Sequence, residues 1–204
     1  MTFKILTDST ADLPESWTQE HDVQVLGLTI QLDGQTYETV GPDKLTSERL
    51  LAKMESGSKP TTSQINVGQF EDVFRQYAQE GTAVLYVAFA SALSGTYQSA
   101  VMAREMVLED YPEAIITILD TKAASMGEGL LVMKAAEVRA AGQSLEQTAD
   151  LLQSLVLRVQ TYFLVDDLNH LMRGGRISKA AALMGNLVNI KPIIAVTADG
   201  SLDS

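Results

Sequence analysis

The sequence predicts an α/β fold with a mainly parallel sheet and flanking helices. Short apolar, β-prone runs alternate with amphipathic stretches of helical spacing along the chain. The run at 82–90 is nearly continuous in apolar residues, as in a strand that is covered on both faces. Because ligands of parallel sheets collect at the carboxyl ends of the strands, the loops that follow the strands are the first candidates for a site.

Composition narrows the possible functions. The chain has 204 residues, of which 46% are hydrophobic, enough for one large domain or a domain and a half. The formal net charge of -11 argues against nucleic acid as the main partner, because phosphate binding needs a basic face. No cysteine is present, which excludes disulfides and thiolate chemistry. Without a signal-peptide pattern or a membrane-length apolar stretch, we expect a cytoplasmic protein with no stable membrane insertion.

The N-terminal elements begin with a strand. Phe3 to Leu6 predicts this strand, which runs into Thr7 to Pro14, where Asp, Ser and Pro residues are typical of a loop and a helix start. Val23 to Leu32 predicts a second strand. It turns at Asp33-Gly34 into residues 35–40, and Asp-Gly is a common two-residue hairpin turn.

Two helices and a polar connection follow. Leu45 to Met54 has helical spacing. Residues 58–64 are too polar, and too broken by proline, for the interior of an element, so we predict a hydroxyl-rich loop. Asn66 and Gln69 have the spacing of a capping box and predict the start of a helix that ends at Gly81.

The strand at 82–90 leads into residues 91–97, a small hydroxyl-rich loop that opens a helix reaching Asp110. A strand, a Gly/Ser turn and a helix in that order direct free backbone N–H groups and the positive end of a helix dipole toward one point. Such a point suits a carboxylate or a phosphate, although Ser94 can equally serve only to cap the helix. The apolar positions that indicate this helix are Tyr97, Val101, Met102, Met106 and Val107.

A further strand and two helices complete this region. Ile115 to Leu119 predicts the strand. Gly129 to Ala141 predicts a helix that ends at Gly142. Ser144 and Gln147 have capping-box spacing and predict the start of another helix.

The C-terminal part combines short elements. Tyr162 to Val165 predicts a strand ending at Asp166-Asp167, and Ile193 to Val196 predicts the last strand. Short helical pieces are expected around residues 168–172 and 180–187.

Asp199-Gly200 then gives a hairpin signal, with only four residues left for the returning strand. We therefore expect an N-terminal α/β domain at 1–157 and the start of a second α/β domain at 158–204 that is incomplete at the C-terminus.

Three hydroxyl-rich segments follow strands or join elements: Thr7 to Thr10, Thr61 to Gln64 and Ser91 to Thr96. We predict that they converge. Each hydroxyl can donate one hydrogen bond to an anion without carrying charge, so such a site would bind a carboxylate reversibly and without a strong ion pair. The alternative for each segment is ordinary turn chemistry, in which Ser and Thr are common.

The segment Arg173 to Lys179 concentrates three basic residues in an acidic chain. Its two consecutive glycines let the backbone approach a ligand or partner closely. Because arginine makes bidentate contacts with carboxylates and phosphates, the loop could receive an acyl phosphate or an acidic protein surface. A solvated connection between helices is the alternative.

Common enzyme motifs are absent or poorly matched. The chain has no Walker loop, and Val132 stands where a dinucleotide fingerprint starting at Gly127 needs a small residue. Ser94 is outside any Gly-x-Ser-x-Gly elbow, and His21 and His170 are in no recognisable catalytic arrangement. We expect neither a catalytic residue nor a metal or cofactor.

Four motifs can be read together: Thr7 to Leu13, Lys59 to Gln64, Ser91 to Tyr97 and Arg173 to Ser178. In this order they resemble the DegV family of bacterial lipid-binding proteins, and the resemblance covers essentially the whole chain. It implies a two-domain α/β protein that buries one long-chain fatty acid in an apolar tunnel, with the carboxylate held near the domain junction. Family members continue beyond Ser204 and place a late histidine near the head group.

The resemblance also implies roles for individual residues. By motif position, Thr62 and Ser94 would hold the carboxylate, assisted by the Gly95 N–H. Arg173 and Arg176 would lie near the ligand mouth and contact a partner or an acyl phosphate. The supporting residues of the head-group region would be Asp8, Ser9, Ser63 and Thr96.

The resemblance further implies a partner. Such proteins are similar to the fatty acid-binding subunit of bacterial fatty acid kinase, which presents the acyl carboxylate to a separate ATP-dependent kinase subunit for phosphorylation to acyl phosphate. We therefore expect a long-chain fatty acid as ligand, the kinase subunit as partner, and no catalysis by the chain itself. Two alternatives stay open: a hydrolase or acyltransferase that uses Ser94, and a non-catalytic regulatory α/β protein.

Overall fold

The computed structural model describes residues 3–165, 168–177 and 193–203. Within these residues the strands are β1 Lys4–Asp8, β2 Val23–Leu26, β3 Thr29–Leu32, β4 Gln35–Glu38, β5 Thr61–Ser63, β6 Val84–Ala88, β7 Ile116–Asp120, β8 Tyr162–Leu164, β9 Ile193–Val196 and β10 Leu202–Asp203. The α-helices are α1 Glu15–Glu20, α2 Ser47–Glu55, α3 Val67–Gln79, α4 Thr96–Asp110, α5 Met126–Ala140, α6 Leu145–Leu155 and α7 Leu168–Arg173. Two short 3₁₀ turns span Ser9–Ala11 and Val156–Arg158.

The central sheet has parallel strands in the order β2-β1-β6-β7, which confirms the predicted α/β core. Every residue of β6 is buried, as its continuous apolar run predicts. Alternate residues face opposite sides of the sheet. Ile5 and Leu85 pack with helices α5 and α6 on one side, whereas Leu6 and Tyr86 pack with α3 and α4 on the other. The carboxyl ends of β1 and β6 therefore lie side by side.

The predicted single strand at 23–32 is wrong, because the chain changes sheets within it. β2 belongs to the central sheet, while β3 joins a second sheet in the order β4-β3-β5. The change occurs next to Gly27, where a Cβ would lie 2.7 Å from Val40 Cγ2. The predicted hairpin is confirmed: β3 and β4 are antiparallel, and Asp33 and Gly34 have φ angles of 52° and 79°.

Residues 58–64, predicted as a loop, contain strand β5. Its three residues are exposed, and they pair with β3 in antiparallel register. Threonine suits an edge strand that faces water, because its β-branched side chain fits the pleat while its hydroxyl stays solvated. The polar composition that argued against an element interior is therefore the composition of a solvent-facing edge.

The third sheet has the order β10-β9-β8 and is antiparallel. Phe163 and Ile194 face helix α7, where they pack with Leu168. The few residues after Asp199-Gly200 do form a returning strand, β10. The helix predicted at 180–187 lies outside the described residues, as do Asp166 and Asp167.

Two helices of the central layer differ in detail from the sequence-based expectation. Met102 and Met106 of α4 are 50% and 43% exposed, while Ala100 and Ala103 are completely buried. Small residues on this face let α4 pack beside α3. Helix α5 begins at Met126 rather than at Gly129. The capping boxes predicted before α3 and α6 are both present.

Candidate functional site

A cavity of about 550 Å³ brings the three hydroxyl-rich segments together. Thr10 comes from the turn after β1, Thr62 and Ser63 come from β5, and Ser94 precedes α4. Their convergence, predicted from the positions of the loops, is therefore seen in the structure. The other lining residues are Leu28, Gln64, Phe89, Gly95, His170, Leu171, Gly174 and Arg176.

Ser94 and Thr96 shape the start of α4. Ser94 Oγ accepts a hydrogen bond from the Thr96 backbone N–H at 3.2 Å and lies 2.9 Å from the Thr96 hydroxyl oxygen. Gly95 is the N-cap residue, so Ser94 supports the helix start from one position earlier. Thr96 is completely buried and lies outside the cavity lining. It orients Ser94 and does not face the cavity itself.

Thr62 and Ser63 present their side chains to solvent from the exposed edge strand β5. Among the described residues, the Thr62 hydroxyl has no hydrogen-bond partner, and so both its donor and its acceptor capacity are available. Register places Thr62 opposite Ile30, whose side chain is buried in the second sheet. The position of Thr62 is therefore set by backbone pairing, not by its own side-chain contacts.

Gln64 is a lining residue that sequence reasoning missed, and its side chain fills the space beside Gly95. A Cβ on Gly95 would lie 2.1 Å from Gln64 Oε1, so a larger residue would displace this side chain. Gln64 Nε2 donates to the buried Ser99 Oγ at 2.9 Å. The only available signal was its place at the end of the motif Lys59 to Gln64.

Asp8 lies directly behind the cavity wall instead of in it. Its Oδ1 accepts hydrogen bonds from the Thr10 backbone N–H at 3.1 Å and from the Thr10 hydroxyl at 2.5 Å. Its Oδ2 accepts from the Tyr86 hydroxyl at 2.7 Å and from the Phe89 N–H at 3.1 Å. Burial raises the pKa of the Asp8 carboxyl, and these hydrogen bonds oppose that rise. Asp8 therefore fixes Thr10 and Phe89, which both line the cavity.

Ser9 has contacts of a different kind and lies outside the lining of this cavity. Ser9 Oγ accepts a hydrogen bond from the Leu28 N–H at 3.1 Å and lies 2.8 Å from the Thr39 hydroxyl oxygen. It lines a second cavity of about 290 Å³, together with Asp12 and Lys44. Ser9 thus joins the turn after β1 to the second sheet.

Glu128 is a completely buried carboxyl on α5 that sequence reasoning also missed. Its Oε1 lies 3.0 Å from Thr7 Oγ1 and its Oε2 lies 2.8 Å from Thr10 Oγ1. Burial, reinforced by the negative charge of Asp8, raises the pKa of Glu128 well above its ordinary value. A Cβ on the neighbouring Gly129 would lie 2.7 Å from the Ala11 carbonyl oxygen, so this glycine allows α5 to approach the turn.

The basic segment Arg173 to Lys179 contributes only some of its described residues to the cavity lining. Arg176 lines it, and Arg176 Nε donates to the Leu93 carbonyl at 3.0 Å. Arg173 lies outside the lining, and its Nη2 is 3.4 Å from Nδ1 of His170, which does line the cavity. Ser178 and Lys179 of the same motif lie outside the described residues.

The arrangement offers polar binding groups. The hydrogen-bond partners of Ser94 Oγ are both atoms of Thr96, so within the described ranges no imidazole or carboxylate is hydrogen-bonded to it. No group of three or more metal-ligating side chains occurs in the part of the chain that the structure describes. Over the same ranges, no helix combines the length and apolar character needed to span a membrane.

A family model described as "Uncharacterised protein, DegV family" matches residues 2–204. The chain belongs to the DegV family. A DegV domain-containing protein of Streptococcus pyogenes serotype M1 is 56% identical over 202 residues, which are 99% of this chain and 71% of that protein. The family resemblance inferred from the four motifs is thereby confirmed.

Solved structures of fatty acid-binding proteins share the fold. A stearic acid-binding protein from Eubacterium ventriosum superposes with a TM-score of 0.89 at 32% identity, over 98% of this chain and 68% of that one. A DegV protein from Thermus thermophilus, described by its fatty acid binding, gives 0.85 at 35% identity, over 100% of this chain and 70% of that one. The parallel sheet with flanking helices is therefore the fold of fatty acid-binding DegV proteins.

Proposed function

We propose that this DegV chain binds a long-chain fatty acid and holds the carboxylate in the cavity formed by Thr62, Ser94 and Gly95. The observation that carries the proposal is the meeting of hydroxyls from three separate segments beside the N-terminus of α4. Free N–H groups and the dipole of a fifteen-residue helix favour an anion at this point.

The residues available for contact favour a carboxylate that is bound reversibly. Thr62 and Ser94 are uncharged donors, and Arg176 is the cationic side chain in the lining. Its Nε is engaged by the Leu93 carbonyl, which holds the guanidinium at the rim instead of across the cavity. Ser63 extends the hydroxyl edge of β5, while Asp8 and Thr96 position the lining residues from behind.

Apolar contact would supply most of the affinity. Burial of an acyl chain contributes roughly 0.8 kcal/mol per CH₂, so the polar groups would mainly set the orientation of the head group. Leu28, Phe89 and Leu171 give the cavity its apolar walls. The structurally similar proteins from Eubacterium ventriosum and Thermus thermophilus, described as binding stearic acid and fatty acid, support this ligand class.

The proposal includes a kinase partner. The chain would present the carboxylate to a separate ATP-dependent fatty acid kinase subunit, and the phosphoryl chemistry would belong to that subunit. The engagement of Ser94 Oγ by Thr96, with no imidazole or carboxylate hydrogen-bonded to it within the described ranges, supports a carrier over a serine hydrolase. Arg173 and the exposed part of Arg176 would be the contacts for the kinase or the acyl phosphate.

Native mass spectrometry of the purified protein tests the proposal. We expect one non-covalent long-chain fatty acid per chain, identified in the fraction released on denaturation. The double variant Thr62→Val with Ser94→Ala should bind stearate more weakly by on the order of a hundredfold and retain correspondingly less lipid, because hydrogen bonds to a charged group are each worth about 1.5–3 kcal/mol.

Thr36→Val is the matched control, since Thr36 is an exposed threonine of the same second sheet, on β4 away from the cavity. It should keep its lipid. A protein that is isolated empty and takes up no added stearate would contradict the proposal, and a covalent acyl adduct on Ser94 would favour the hydrolase.

A further inference from the structure

If the buried carboxyl of Glu128 were ionised, its hydrogen-bond network would contain fewer hydrogens than oxygen–oxygen contacts. Thr7 Oγ1 is 3.0 Å from both the Val87 carbonyl oxygen and Glu128 Oε1. Thr10 Oγ1 is 2.5 Å from Asp8 Oδ1 and 2.8 Å from Glu128 Oε2. These four oxygen pairs share only the two hydroxyl hydrogens of the threonines. An additional hydrogen on Glu128 would occupy a third contact.

Asp8 is the ionised member of the pair. Each of its two carboxylate oxygens accepts two hydrogen bonds, and three of the four donors, the Thr10 and Phe89 N–H groups and the Tyr86 hydroxyl, have no competing acceptor in the network. A carboxylate with four donors is satisfied as an anion. Glu128 faces only two hydroxyls, each of which also contacts a second acceptor. The extra hydrogen therefore belongs on Glu128.

We propose that Glu128 is protonated in the folded protein and donates to Thr10, so that the wall of the carboxylate cavity has one buried negative charge instead of two. The hydrogen bonds then run from Glu128 Oε2 to Thr10 Oγ1 and from Thr10 Oγ1 to Asp8 Oδ1. Glu128 is a positioning residue, because it acts on the cavity through Thr10.

The charges around Glu128 favour this state. Among the described residues, the titratable groups that interact with it are Asp8 on β1, Asp12 after the first turn and Tyr86 on β6, and these include no cation. Burial raises the pKa of Glu128, and the negative charges of Asp8 and Asp12 raise it further. Hydrogen bonds from Thr10 and Thr7 oppose this rise, but the charges nearest to a second carboxylate anion at this depth would repel it.

The proton would matter for the ligand, and this step rests on the proposed function. Thr10 lines the cavity and separates both carboxyl groups from a bound head group. Loss of the Glu128 proton would place a second negative charge behind Thr10 and repel a fatty acid carboxylate. Protonated Glu128 therefore permits entry of an anionic ligand.

Infrared spectroscopy of the purified protein tests the protonation without any ligand. We expect the carbonyl stretch of a protonated carboxylic acid at pH 7, absent from Glu128→Gln and retained in Glu137→Gln, a control at an exposed glutamate of the same helix. The band is sought in the parent protein, so its detection does not depend on the folding of a variant. A parent spectrum without this band at pH 7 would overturn the proposal.

Thermal unfolding independently tests the direction in which folding shifts the pKa of Glu128. An acid whose pKa is raised by folding binds more protons in the folded state, so stability falls as pH rises above its ordinary value of 4.5. The Tm of the parent should therefore fall relative to that of Glu128→Gln between pH 5 and 9, while Glu137→Gln follows the parent. If the Tm of the parent rose relative to that of Glu128→Gln over this pH range, Glu128 would not be protonated in the folded protein.

Stearate binding tests the link to the cavity. Where alkaline pH removes the infrared band, the parent should lose affinity by on the order of tenfold relative to Glu128→Gln. Equal losses in both proteins would refute the link between the proton and the ligand. A protein that binds no stearate at any pH would refute the proposed function and this link together, whereas the infrared and Tm measurements would still decide whether Glu128 is protonated.

Discussion

The front and the back of the cavity wall have opposite designs. The front consists of hydroxyls from Thr62, Ser63 and Ser94, which are exposed or half-buried and have few partners. The back consists of Asp8 and Glu128, which are completely buried and bonded at both carboxyl oxygens. Uncharged hydroxyls with unused hydrogen-bonding capacity meet the solvent, and two carboxyl groups, of which only Asp8 is ionised, lie one layer behind with both oxygens of each in hydrogen-bond contact.

This difference predicts that substitutions in the two layers have different effects, on stability at the back and on ligand affinity at the front. A change at the back breaks several buried hydrogen bonds at once and should lower the free energy of unfolding. A change at Thr62 removes a hydroxyl that has no hydrogen-bond partner among the described residues, so it should lower ligand affinity alone, whereas a change at Ser94 should also cost some stability because Ser94 supports the start of α4. A loss of stability in a Thr62 variant would show that the two layers act as one unit.

The largest expected effect is at the back, for Asp8→Asn. The amide NH₂ would face two of the four donors that now point at the carboxylate, which should lower the free energy of unfolding by about 3 kcal/mol. Urea-induced unfolding measures this loss. Asp12→Asn is the control: Asp12 is exposed and accepts one side-chain hydrogen bond, from Ser125, so the loss there should stay below about 0.5 kcal/mol.

A smaller effect is expected where the two layers meet, for Gly95→Ala. The added Cβ would displace Gln64 from its bond to Ser99, which should cost about 1 kcal/mol of stability and about tenfold in stearate affinity. Isothermal titration and urea unfolding measure the two quantities. Gly127→Ala is the matched control. Gly127 lies at the start of helix α5, outside the cavity, and its added Cβ would lie 2.2 Å from Thr161 Oγ1. If Gly127→Ala weakened stearate binding equally, the affinity loss would not be specific to the front.

The smallest effect is expected at the rim. Arg176→Gln removes a cation from the cavity and should weaken stearate binding by about threefold, since exposed charge contacts are worth about 0.2–1 kcal/mol. Arg173→Gln should leave stearate affinity unchanged and lower acyl phosphate formation when the kinase subunit and ATP are added. Equal effects of both variants on affinity would remove the distinction between cavity and partner contacts.

Much of the fold was predictable because local signals were strong. The continuous run of β6 indicated a doubly covered strand, and the capping boxes before α3 and α6 placed helix starts to the residue. Asp33-Gly34 indicated the hairpin for a backbone reason, since both residues need positive φ. The errors at 23–32 and in β5 have different causes: periodicity does not report that a chain changes sheets within an apolar run, and the polar composition of the edge strand β5 resembles that of a loop.

The candidate site divides in the same way. The residues alone indicate that three hydroxyl-rich segments follow strands or precede helices, and that their order matches the DegV family, because motif and turn chemistry are local. That Thr10, Thr62 and Ser94 share one cavity, which Ser9 and Thr96 do not line, depends on long-range packing and is seen only in the folded chain.

Glu128 shows the limit most clearly. Its Oε2 contacts Thr10 Oγ1, 118 positions earlier in the chain, and Thr10 in turn contacts Asp8. Burial and long-range contacts set the protonation of Glu128, and neither can be inferred from the residues next to it in the sequence.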